Sequence, residues 1–77
     1  LPPKPMLRDN SQDTRRLALE LGQVEDRIHA QEKTIQRLSR ELEKAKGFEQ
    51  VSKLGWQLAE AQARLEQLMG EWESLAA

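Results

Sequence analysis

Two apolar heptad seams that break phase at Gly47 constrain this chain more than any other feature. Before the glycine one seam position holds Leu21, Ile28, Ile35 and Leu42, and the other holds Leu17, Val24, Gln31, Leu38 and Ala45. After it the positions hold Val51, Leu58, Leu65 and Trp72, and Leu54, Ala61, Leu68 and Leu75. Apolar residues alternately three and four apart form a narrow stripe on a helix, and that stripe needs a second helix to cover it. Carrying the first seam through in phase would bury Glu49 and Ser52. One straight coiled coil therefore does not fit. The sequence predicts an all-α fold, a two-helix antiparallel coiled-coil hairpin.

Antiparallel packing also predicts a register. Seam residues whose numbers sum to 96 should lie opposite one another: Ala45 with Val51, Leu42 with Leu54, Leu38 with Leu58, Ile35 with Ala61, Gln31 with Leu65, Ile28 with Leu68, Val24 with Trp72, and Leu21 with Leu75. The centre of this pairing falls at Phe48, inside the break. A turn of about three to five residues there suits an αα-hairpin.

Residues 1–11 read as a Pro-rich linker or tail, because prolines at positions 2, 3 and 5 oppose a regular helix. Asp9, Asn10 and Ser11 are N-cap candidates. The first helix is predicted over about 12–46, the turn over about 46–50 and the second helix over about 49–75, within a hairpin spanning 12–77. Lys44 and Lys46 suit the negative end of the first helix dipole. Gly47 is expected in the left-handed conformation that follows a helix C-terminus. Gln31 is the one polar seam residue; a buried amide there would fix register or partner choice at a cost in stability, and the plainer expectation is that it reaches the seam edge and stays wet. Trp72 is expected in the core against Val24.

The chain has 77 residues and begins with Leu, which suggests a piece of a longer protein. It contains no Cys, so it lacks both disulfide staples and thiolate metal ligands; this fits a reducing compartment. The longest apolar runs fall far short of a membrane span, so no membrane partner is expected. A thin helical rod offers surfaces and no catalytic cleft. The chain carries no GxxxxGK[ST] loop and no HExxH pair, and the lone His29 sits at an outer heptad position. No catalytic residue, metal ligand or cofactor is expected in the fragment itself.

The net charge is −1, which argues against a dedicated basic nucleic-acid binder, yet the charge is uneven. Basic and acidic residues number two and one over 1–11, eight and seven over 12–46, and two and five over 47–77, so the acidic excess lies on the second helix. Lys33, Arg37, Arg40 and Lys44, spaced four, three and four apart, form one outward stripe on the first helix. Lys46 and Lys53 add positive charge near the hairpin tip. Phosphate backbone is the natural partner of such a stripe, and a solvated helix face is the plain alternative, since Glu32, Glu41 and Glu43 flank it. Trp56 lies away from the seam, where an indole suits docking on a parent domain, a second hairpin or a base, and equally suits lying flat over neighbouring side-chain stems.

The stretch VSKLGWQLAEAQARLEQLMGEWESL at 51–75 resembles the last helix of the C-terminal domain of ABC-F ATPases of the Uup type. Leu54, Leu58, Leu65 and Leu68 match that family's leucine heptad, and Trp72, Glu73 and Leu75 match its W-E-x-L ending. The first helix, over 20–42, is similar in pattern, and the Pro-rich start resembles the linker after the second cassette. The resemblance implies a non-catalytic C-terminal coiled coil of a cytoplasmic ATPase whose ATP and Mg sites lie upstream. It also implies contact with DNA or ribosomal RNA, for which Lys33, Arg37, Arg40, Lys44, Lys46 and Lys53 are the candidate residues. The parent's own ATPase domains, docked through Trp56, are a further expected partner. The alternatives are a structural or homodimerising coiled coil, or an intramolecular brace, with no nucleic-acid binding.

Overall fold

The structure is a computed structural model that describes the backbone of residues 3–77 and the side chains of residues 12–77. Two helices make up the fold, α1 (Pro3–Lys44) and α2 (Phe48–Ala76), joined by a turn over 45–47. They pack as the expected hairpin, 70 × 14 × 11 Å in extent. The radius of gyration is 19.3 Å, against roughly 11–12 Å for a compact domain of this length. Among the described residues no helix is long and apolar enough to cross a membrane.

The heptads explain the interior. Val24, Leu38, Leu54, Ala61 and Leu68 are buried, and all five are seam residues. Leu38, Leu54 and Ala61 form one cluster, with Ile35, Leu42, Ala45 and Leu58 packed against it. These seven complete three of the expected cross-seam pairs and add Ala45. Toward the open end, Val24 shares a groove with Glu71 and Leu75, and Ile28 shares another with Met69 and Trp72.

The helix boundaries differ from those expected. α1 begins at Pro3 rather than near residue 12, and its backbone is helical through Asp9, Asn10 and Ser11, so none of these three is an N-cap. Pro3 and Pro5 fall within the first four helical residues, where the backbone N–H has no intrahelical acceptor and its loss costs little. Leu1 and Pro2 lie outside the described residues.

At the other end α1 stops at Lys44, where the Ala45 N–H donates to the Leu42 carbonyl at 3.2 Å in a tighter, three-residue closure. Lys44 thus meets the negative end of the dipole as expected, while Lys46 lies in the turn. Gly47 has φ 89° and ψ 150°, a positive-φ region open almost only to glycine, although not the left-handed helical one. It is the N-cap of α2 rather than the residue after α1. Gly47 has no side chain to cap the helix. The Gln50 side-chain oxygen accepts from the Lys46 N–H at 3.3 Å, and the Val51 N–H donates to the Gly47 carbonyl at 3.1 Å. The turn is therefore three residues, tighter than the 46–50 expected.

Three seam residues depart from their expected settings. Val51 is 43% exposed, because α1 has ended at Lys44 and little remains to cover it. Trp72 is half-buried rather than core, since two helices enclose a seam too thin for a whole indole. Its Nε1–H donates to Glu25 Oε2 at 3.0 Å, which suits a ring with one apolar body and one polar handle. Gln31 does not stay wet at the seam edge. Its Nε2 donates across the seam to the Ala61 carbonyl at 2.9 Å. A helix carbonyl points toward the C-terminus, which brings that of Ala61 near the level of Leu65, the expected partner of Gln31. The small Ala61 side chain leaves the space that the amide enters.

Candidate nucleic-acid interface

Helical geometry puts Lys33, Arg37, Arg40 and Lys44 on the face of α1 diametrically opposite its seam, so they point away from α2. Together with Gln36 and Glu41 they line one shallow depression on that face. All four are exposed. Arg37 Nη1 lies 2.8 Å from Glu41 Oε2, with side chains 62% and 46% exposed. Such a surface pair is worth about 0.5 kcal/mol and yields readily to a competing anion. It is the one ion pair among the described residues, so Lys33, Arg40 and Lys44 are unpaired within them.

Lys46 and Lys53 do not join this depression. Lys46 is in the turn and Lys53 is in the second turn of α2, both exposed. The six cations thus form two groups, a linear stripe on α1 and a pair at the tip. Both lie in the same half of the hairpin. The tip half, residues 33–63, holds six basic and four acidic residues. The open half, residues 12–32 and 64–77, holds four basic and eight acidic. Sequence intervals could not display this polarity until the fold-back brought residues 33 and 63 to the same level.

Trp56 is 69% exposed, as its outer heptad position predicts. On the outer face of α2 the small residues Ser52, Ala59 and Ala63 adjoin it, with Lys53 and Glu60 at the side. At the open end Trp72, Met69 and Ile28 line a notch of about 240 Å³ with Glu25, His29 and Glu73. His29 is exposed at its rim. One surface residue escaped the sequence reading. Phe48, expected in the turn at the pairing centre, begins α2 and is 87% exposed. The available signal was that it is apolar and belongs to neither seam.

Residues 13–77 match the family described as ABC transporter C-terminal domain. Neither a curated protein nor a solved structure matches the chain.

Proposed function

The chain belongs to the ABC transporter C-terminal domain family, and from that premise we propose that it is a C-terminal module that contacts nucleic acid through its tip half. In this reading the parent is a cytoplasmic ABC-F ATPase of the Uup type. Catalysis, with ATP and Mg, belongs to cassette domains elsewhere in that parent, and the hairpin supplies a binding surface for DNA or ribosomal RNA. The observation that carries the proposal is the exposed stripe Lys33, Arg37, Arg40 and Lys44 on the face turned from α2, with Lys46 and Lys53 beside it at the tip.

The mechanism is electrostatic. Each cation that reaches a phosphate releases condensed counterions, so log K falls with log salt at a slope of about −0.9 per phosphate on duplex. Engagement of the four stripe residues gives a slope of roughly −3 to −4. Phosphate contacts carry no sequence information, so binding is weak and sequence-tolerant. Reversing Arg37 and Arg40 to Glu flattens the slope and removes most of the affinity, measured by fluorescence anisotropy across a salt series. Unchanged affinity in that double variant would remove the stripe as the site.

Trp56 supports a second contact, with the parent's own ATPase domains. An indole 69% exposed beside the small side chains of Ser52, Ala59 and Ala63 suits close approach by another protein surface. Adding those domains to the Trp72→Phe chain, in which Trp56 is the remaining indole, should shift the fluorescence maximum to the blue. An unshifted spectrum would leave Trp56 without that role.

A further inference from the structure

Phe48 is the most exposed large apolar side chain among the described residues, and the fold gives it no partner. It is the first residue of α2, held there by the positive φ of Gly47 and by the Val51 N–H bond to the Gly47 carbonyl. α1 has already ended at Lys44, so no seam residue lies across from it. Its position is therefore fixed by backbone geometry rather than by burial. A ring at 87% exposure is poorly explained as a packing element.

Its surroundings say what it suits. Lys44 ends α1 and Lys46 stands in the turn just before Phe48, while Lys53 lies five residues on, about 140° around the helix from it; all three are exposed and unpaired among the described residues. Glu49 is the one carboxylate in the interval 44–53. Val51, 43% exposed, is the nearest other apolar side chain along the helix. A protein-binding hot spot needs an aromatic anchor ringed by contacts that exclude water. The lysines, glycine and glutamate next to Phe48 in the chain do not supply that ring. An aromatic face flanked by cations is instead the composition of sites that hold single-stranded nucleic acid, where the ring stacks on a base and the cations follow the phosphates.

We infer that Phe48 is a stacking platform for an unpaired base, so that the hairpin tip prefers single-stranded nucleic acid to duplex. The inference rests on the proposed nucleic-acid function and adds the form of the ligand. In a duplex each base face is already covered by its neighbours, and a ring can enter only by unstacking them at a cost. In a single strand the faces are free, and any base serves.

The test measures fluorescence anisotropy of the full 77-residue chain with a labelled oligothymidylate, the matching oligouridylate and a mixed-sequence duplex over a salt series. Phe48→Ala should weaken single-strand binding about tenfold, leave duplex binding within about twofold and keep the salt slope. Phe48→Trp should restore binding, and Phe48→Leu, apolar but unable to stack, should not. The same dependence on Phe48 with either sugar supports the inference, and the tighter of the two identifies the source as DNA or RNA. Single-strand affinity unchanged in Phe48→Ala, or retained in Phe48→Leu, overturns it. So does an equal loss on duplex. Absence of salt-dependent binding by the unmodified chain is a separate failure, that of the proposed function. Unchanged circular dichroism verifies that each variant folds, as a substitution at so exposed a site allows.

Discussion

The two halves of the hairpin share one heptad pattern and differ in nearly everything built on it. The tip half packs Leu38, Leu54 and Ala61 with four more seam residues into one cluster and bears a basic excess. The open half buries Val24 and Leu68, leaves Trp72 half-covered and bears twice as many acidic as basic residues. The difference teaches that a regular apolar repeat secures the register, while the side chains outside it set the charge of each end.

Replacements that attack each half in turn sharpen this contrast. Leu38→Ala should have the largest effect. Leu38 is 5% exposed within the tip cluster, and removing a buried leucine costs roughly 2–5 kcal/mol through lost transfer energy and the cavity left behind. In a rod with so little interior, thermal melting followed by circular dichroism should drop below that of any other variant considered. Gly47→Ala comes next. A side chain at φ 89° is strained whatever the space around it, at a cost of about 1–3 kcal/mol in the same melt. An unchanged melting temperature would mean that the turn relaxes to another conformation. Gln31→Ala comes last, at about 1 kcal/mol for a part-buried hydrogen bond. Gln31→Leu should cost less, because the Ala61 carbonyl keeps its helical bond and the space stays filled. A loss for Leu as large as for Ala would show that the amide's bond, and not the filled space, carries the contribution.

The leucines and isoleucines make the hairpin legible in the sequence, because a repeat of seven admits few partners. The phase break at Gly47 likewise located the turn. Boundaries were harder to read. Pro3 and Pro5 look like helix breakers until they are seen in the first turn, where their missing N–H groups are harmless. Heptad position also says which way a side chain points without saying how much cover it finds. Trp72 and Val51 both hold seam positions, and one is too wide for its seam while the other lies past the end of α1. Gln31 shows the converse: its reach to Ala61 depends on a carbonyl that no side-chain pattern encodes. For the candidate interface, the stripe on α1 follows from spacing within one helix. The gathering of Lys46 and Lys53 with it at the basic end, and the exposure of Phe48, needed the three-residue turn.

The central claim is that nucleic acid binds the tip half and not merely any cationic helix. It is tested most directly by comparing two charge reversals of equal size in one salt-dependent binding assay. The first replaces Arg37 and Arg40 with Glu at the tip, and the second replaces Arg27 and Arg64 with Glu at the open half. The account predicts a flattened salt slope and lost affinity for the tip pair, with affinity and slope close to those of the unmodified chain for the open pair. Equal losses from both pairs would contradict it, because binding would then follow total charge and not the polarity of the hairpin.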